Sequence, residues 1–239
     1  FHEALPDEAI DRVFAVMGTN GRHHVFQVLT KRPERMRAYF ADPETPWRIQ
    51  SEVVRVNVGY RPTIRPADED GHRGLDTGQW PLPLPNVWLG VSVEDQRTAD
   101  ERIPLLLQTP AAKRFVSYEP AIGPADLSRW MWPVLEGWPA PYRSVREARE
   151  AGAKTTRSRQ ALVSAASVFL DWVIVGGESG PGARPFDLAW ARSVVRQCRE
   201  AGVPCFYKQG GASNRCEHSA KGGHFDCFPP DLRVREFPL

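Results

Sequence analysis

Short apolar runs, rich in β-branched residues, recur along this chain. Between them lie stretches with an apolar residue every three or four positions. The first such stretch follows Pro6 and predicts a helix to about Met17, with Ile10, Val13, Phe14 and Met17 on one face. Residues 25–29 predict a strand with Thr30, Lys31 and Arg32 at its end. Pro33 suits a first helical position, where a missing N–H costs nothing, and predicts a helix to about Phe40. Residues 86–93 form the next expected strand, ending near Ser92, Glu94 and Asp95. A helix over about 98–108 follows, turning Ile103, Leu106 and Leu107 inward. Residues 113–117, 170–175 and 203–207 read as three further strands. A helix over 186–201, apolar at Leu188, Val194, Val195 and Cys198, separates the last two.

Strand and helix in alternation predict a parallel sheet. Polar residues mark strand end after strand end: Thr30/Lys31, Ser92/Glu94, Ser117/Glu119, Glu178/Ser179 and Lys208/Gln209. A purely structural protein has no need of that pattern, whereas an α/β protein builds its site at the carboxyl ends of its strands. The expectation is one α/β domain over 1–239 shaped as a parallel (β/α) barrel or partial barrel, incomplete at its amino terminus. An open doubly wound sheet is the alternative. Residues 59–85 and 133–160 lack a period and read as insertions, the second with a helix around 145–151. Residues 122–130 read as a turn with room for a short helix, and 210–239 as a glycine- and proline-rich tail that wraps the surface.

Bulk properties narrow the function little. The chain has 239 residues, 41% hydrophobic and 25% charged, with a formal net charge of +2. That charge is too small to argue by itself for nucleic acid or membrane. No apolar run is long enough to span a bilayer, and acidic residues near the start do not fit a signal peptide. Four cysteines in a chain of this length point to a reducing cytoplasm rather than a secreted disulfide scaffold.

Six motifs occur in one order. They are Phe26-Gln-Val-Leu-Thr-Lys-Arg-Pro-Glu-Arg-Met36, Asn86-Val-Trp-Leu-Gly-Val-Ser-Val-Glu-Asp95, Arg114-Phe-Val-Ser-Tyr-Glu-Pro120, Asp171-Trp-Val-Ile-Val-Gly-Gly-Glu-Ser-Gly180, Gly202-Val-Pro-Cys-Phe-Tyr-Lys-Gln209 and Asp231-Leu-Arg-Val-Arg-Glu-Phe-Pro238. Together they resemble the phage-associated family labelled phage protein Gp thirty-seven / Gp sixty-eight, whose function is unknown. That family in turn resembles radical-SAM enzymes. The resemblance implies a [4Fe–4S] cluster held by three closely spaced thiolates, the fourth iron being left open for S-adenosylmethionine. Cys198, Cys205, Cys216 and Cys227 are not spaced that way. The sequence begins at Phe1 without a methionine. The expectation is that the cluster segment precedes it, or that this protein does not perform that chemistry. On either expectation, residues 1–239 alone lack a complete catalytic set.

The resemblance also directs attention to Gly176-Gly177-Glu178, which is similar to the Gly-Gly-Glu element near the methionine ammonium in radical-SAM proteins, although here it follows a late strand. Ser179 and Arg184 extend the same site. Lys31 and Arg32 are candidates for an anion, set before a helix N-terminus. Ser92, Glu94, Ser117 and Glu119 are candidates at the mouth, or partners in strand-end salt bridges. Glu178, Lys208 and Glu119 are the candidate catalytic groups. Cys216-x-His218 and His224-x-x-Cys227 offer zinc-type ligands, at spacings unlike a common zinc knuckle. A rival reading is a non-catalytic barrel that binds nucleic acid or protein through the basic stretch 142–159. Its contacts would be Arg143, Arg146, Arg149, Lys154, Arg157 and Arg159, with Trp130, Trp132 and Trp138 available for stacking.

Overall fold

Side chains alternate across the pleat of five parallel strands, and the two faces they create meet different partners. The computed structural model describes residues 1–19, 23–56, 63–64, 75–76, 82–131 and 169–238. In chain order the elements are α1 (Asp7–Gly18), β1 (Phe26–Thr30), α2 (Pro33–Ala41), α3 (Thr45–Val56), β2 (Thr63–Ile64), β3 (Leu75–Asp76), β4 (Val87–Val93), α4 (Gln96–Leu107), β5 (Lys113–Tyr118), β6 (Trp172–Gly176), α5 (Leu188–Ala201) and β7 (Cys205–Gln209). The main sheet runs β1-β4-β5-β6-β7, every neighbouring pair parallel, and β2 pairs with β3 in a separate antiparallel ribbon.

Local chemistry sets the helix ends. Pro33 opens α2 as expected. Asp95 caps α4: its carboxylate accepts from the Thr98 N–H, and the Thr98 hydroxyl accepts from the Asp95 N–H, a reciprocal pair that satisfies two otherwise orphaned donors. Gly202 ends α5 in the left-handed conformation, at φ 68°.

One face of the sheet presents Val28, Leu89, Val91, Val116, Tyr118, Val173, Val175, Cys205 and Tyr207. These join Phe14, Met36, Ile49, Ile103, Leu106, Val194 and Cys198 of the five helices in a single core. Trp88, Phe115 and Trp172 form a separate cluster on the opposite face, with Ile174 and Phe206 against it. Trp88 and Trp172 meet edge to face at 5.9 Å, and Phe206 meets Trp172 at 6.1 Å. Gly90 lies opposite Phe115 in the pairing of β4 with β5. A Cβ there would stand 2.5 Å from the Phe115 ring, so Gly90 makes the room this aromatic layer needs.

The expected parallel α/β sheet forms, and among the described residues it does not close into a barrel. β1 and β7 do not pair, and the sheet stays open. Its strands also follow one another without the reversal of order that a doubly wound sheet has. Closure of a barrel of this type takes about eight strands, and here the outer edge of β7 is already occupied. The Tyr207 N–H donates to the Val234 carbonyl and the Glu236 N–H to the Cys205 carbonyl, so the tail lies antiparallel along that edge.

Other differences are local. Residues 45–56 form a helix not read from the sequence, seated by Ile49 and Val53. Val13, expected to face inward, is 53% exposed, while Asp11 takes an interior position by accepting from the Tyr39 hydroxyl at 2.6 Å and from Arg48 at 3.2 Å. The turn at 122–130 does hold a short helix, the 3₁₀ turn Ser128–Trp130, in agreement with the sequence reading. The helix around 145–151, the whole insertion 133–160 and most of 59–85 lie outside the described residues.

The substitution Gly90→Ala is expected to destabilise the fold by roughly 1–3 kcal/mol, because a Cβ there would stand 2.5 Å from the Phe115 ring and force it to shift against Trp172. Urea unfolding midpoints of the two proteins measure this, and an unchanged midpoint would contradict it.

Candidate functional site

Among the described residues the strand ends carry four ion pairs, two of them on Glu94. Lys31, just past β1, reaches Glu94 past β4 at 2.6 Å, and Arg102 of α4 holds the second Glu94 oxygen at 2.9 Å. Arg102 also donates to the Ser92 carbonyl. Glu119, after β5, pairs with Lys208 of β7 at 2.9 Å, although β6 lies between them. Gly176 makes that crossing possible: a Cβ there would stand 3.2 Å from the Glu119 carboxyl group. Glu178 pairs with Arg184 through two side-chain bonds of 2.8 and 2.9 Å and accepts from the Arg184 backbone N–H.

These bonds from Arg184 pull the Glu178 pKa down to about 2, with a smaller contribution from the charge of Lys31. The Arg184 pKa is raised in turn, chiefly by its bonds to Glu178 and to a smaller extent by the charge of Glu94. The pairs around β1, β4 and β6 therefore share one electrostatic rim. Gly177 and Gly211 bring two loops together. A Cβ on Gly177 would lie 2.7 Å from the Gly210 carbonyl oxygen, and Gly211, at φ 72°, packs on the Glu178 carbonyl. The Gly-Gly-Glu run thus has a packing role in full: one glycine for the Glu119 crossing, one for the loop contact, and a carboxylate that braces its own turn.

Below the rim the concave face holds a cavity of about 520 Å³. Gln27, Leu29, Phe115, Ser117, Trp172, Ile174 and Phe206 line it, Glu119 and Lys208 lie at its polar end, and Arg235 and Phe237 of the tail close one side. Phe237 packs on Trp172 at 5.4 Å and on Phe206 at 5.3 Å. The cavity combines aromatic walls with five polar or charged side chains, Gln27, Ser117, Glu119, Lys208 and Arg235.

The structure sorts the expected residues. Lys31, Ser92, Glu94, Ser117, Glu119, Gly176, Lys208, Glu178 and Arg184 all come to the strand-end side of the sheet or its concave face. Ser179 is exposed in the loop beyond Glu178. Arg32 turns instead to Glu3, in the segment before α1. Residues 142–159, with Trp132 and Trp138, lie outside the described residues. Trp130 is buried, with the Arg129 guanidinium 4.1 Å from its ring, so it packs the turn onto the core. Arg102, Arg235 and Phe237 were not legible as site residues. The inward aromatics Trp88, Phe115, Trp172 and Phe206 had a signal in the two-residue alternation of the strands.

The cysteines fall into two separate pairs. Cys198 of α5 and Cys205 of β7 meet deep in the core, where their hydrogen bonding and burial push the Cys198 pKa up. Cys216 and Cys227 meet in the tail, the Cys227 thiol donating to Cys216, which lowers the Cys216 pKa and raises that of Cys227 to about 11. Three thiolates on one loop, as a radical-SAM cluster requires, are not available from these four residues, so no step through an iron–sulfur cluster follows from this chain.

A family model described as "Protein of unknown function (DUF5131)" matches residues 1–228. The chain belongs to this family. No curated protein and no solved structure shows significant similarity to it. This DUF5131 chain therefore has to be read from its own geometry. Among its described residues, no helix is long and apolar enough to cross a membrane.

The lowered pKa of Glu178 fixes a sign. The pair's contribution to stability is present above the carboxylate's unfolded-state pKa and is lost as pH falls through about 2. Solvent screening keeps that contribution small. Replacing Arg184 by Met is expected to return the Glu178 pKa from about 2 toward its ordinary 4.5. Carbon-13 NMR of the carboxyl group at pH about 4 reads the outcome: ionised in the parent, substantially protonated in the variant. Equal ionisation in both proteins would count against the pairing.

Proposed function

We propose that the concave face of the sheet is the ligand site of a radical-SAM-type enzyme of phage-associated origin, and that its ligand is S-adenosylmethionine or a closely similar zwitterionic nucleoside. The observation that carries this reading is the union, in one cavity, of aromatic walls with an opposed carboxylate and ammonium at the polar end. Phe206 and Phe237, packed on the buried Trp172, offer stacking surfaces to a purine. Gln27 and Ser117 offer hydrogen bonds to its polar edge or to the ribose. Glu119 pairs with the amino acid ammonium of the ligand, and Lys208 with its carboxylate.

Such a ligand replaces one ion pair by two. The Glu119–Lys208 contact that it opens is half-exposed on the lysine side, so little stability is lost in breaking it. When bound, S-adenosylmethionine supplies an activated methyl or adenosyl group. The residues of the chain hold the amino acid end, orient the nucleoside against the aromatic wall and exclude water from beneath it. The iron–sulfur cluster that radical chemistry needs has no ligand set among Cys198, Cys205, Cys216 and Cys227, and it enters this reading only through the family resemblance.

Calorimetric titration of the purified chain with S-adenosylmethionine tests the proposal. Binding is expected in the parent protein. Glu119→Gln and Lys208→Met are each expected to weaken it about tenfold, which corresponds to about 1.4 kcal/mol. S-adenosylhomocysteine, which keeps the nucleoside and the zwitterion, is expected to compete. Absence of binding to the parent, or the same affinity in both variants, would falsify this assignment.

A further inference from the structure

The loop that leads into the tail gathers four metal-type ligands outside the cavity. The ligand atoms of Cys216, His218 and Cys227 all lie within 4.8 Å of one another. His218 Nδ1 is 3.2 Å from Cys227 Sγ, and His224 Nδ1 is 3.9 Å from the same sulfur. The two imidazoles stack with centroids 4.9 Å apart. Around a tetrahedral zinc ion with ordinary bond lengths, neighbouring sulfur and nitrogen ligands are separated by roughly 3.5–3.8 Å. The His218–Cys227 and His224–Cys227 separations bracket that value; Cys216, His218 and Cys227 are gathered already, and His224 joins them by a further movement of its side chain.

The backbone prepares the arrangement. Cys216 and Ser219 exchange N–H···O bonds in both directions, and the Cys227 N–H donates to the His224 carbonyl. Gly222 turns the loop at φ 58°, where a Cβ would stand 2.4 Å from the Asn214 carbonyl oxygen. The Gly223 N–H donates to the Ser219 hydroxyl. Glu217 Oε1 lies 3.7 Å from His218 Nε2, the nitrogen facing away from the sulfurs. A carboxylate in that position is the usual outer partner of a metal-bound histidine.

We propose that Cys216, His218, His224 and Cys227 bind one zinc ion, and that the site is structural. Two thiolates and two imidazoles favour zinc over magnesium or calcium, and four protein ligands leave no open position for catalysis. The tail explains what the ion does. Immediately beyond Cys227, Phe228 packs on Tyr207 at 4.7 Å, Leu232 is fully buried, and residues 234–236 lie along the edge of β7. Arg235 and Phe237 then close the side of the cavity. The glycine-rich loop at 210–223 has little apolar surface with which to hold this cover in place. A zinc clasp at 216–227 shortens the free chain and fixes where the cover begins.

Metal analysis of the full chain, purified under reducing conditions from zinc-supplied cells, tests the site. About one zinc per chain is expected. The Cys216→Ser/Cys227→Ser double variant is expected to lose it, while His23→Ala/His24→Ala, which changes exposed histidines elsewhere, keeps it. Cobalt(II) added to the stripped parent is expected to give intense visible bands of a tetrahedral thiolate site, weakened in His218→Ala and in His224→Ala. Chelation is expected to lower Tm by several degrees in the parent and to leave the double variant unmoved. Three results would overturn the proposal: a parent free of zinc that gives no cobalt–thiolate bands, zinc retained by the double variant, or a Cys216–Cys227 disulfide in the reduced preparation. None of these readouts depends on S-adenosylmethionine binding, so the two proposals stand or fall separately.

Discussion

The split of side chains between the two faces of the parallel sheet is the constraint on which the remaining structure depends. Valines and tyrosines on one face share a core with the five helices of the described residues, and the hydrophobic effect seals that side. The other face carries large aromatics and meets no helix among the described residues. Those aromatics leave room for one another only because Gly90 has no side chain opposite Phe115. The same asymmetry sites the cavity: among the described residues the helices cover one face, while the tail covers part of the other and leaves the space lined by Gln27, Leu29, Ser117 and Ile174.

Charge at the strand ends follows from parallel pairing. Because all five strands point the same way, their carboxyl ends lie on one side, and a polar residue after each strand is carried to a common rim. The ion pairs there also act as ties. Lys31–Glu94–Arg102 links the ends of β1 and β4 to α4, while Glu119–Lys208 spans β6. The glycines of the Gly-Gly-Glu run are needed by that geometry whatever the ligand. A functional reading therefore rests more firmly on Glu119, Lys208 and the aromatic wall than on Glu178, whose oxygens are already bonded to Arg184.

The tail does what a helix layer does elsewhere. It pairs the edge of β7 that would otherwise be open to association, and it lays Phe237 against Trp172 and Phe206. Its loop has too many glycines and too few apolar residues to hold that position by packing alone. The clustering of Cys216, His218, His224 and Cys227 within it bears on cavity architecture as much as on metal chemistry.

By itself the sequence determined the strands, the alternation with helices and the polar strand ends, because these depend on local periodicity and on turn and capping residues such as Pro33, Asp95 and Gly202. It also announced Glu94, Glu119 and Lys208, each placed beside a strand by its neighbours along the chain. It did not announce α3 or the inward place of Asp11, since those depend on partners such as Tyr39 and Arg48 brought from distant segments. Nor did it decide between barrel and open sheet, because closure depends on which chain segment reaches the last strand edge. Only the tertiary structure placed residues 234–236 there, drew Glu119 across Gly176 to Lys208, and gathered two cysteines and two histidines whose spacing follows no common zinc pattern. Those contacts join residues far apart in the chain or folded together by an irregular loop, and a periodic pattern carries no record of either.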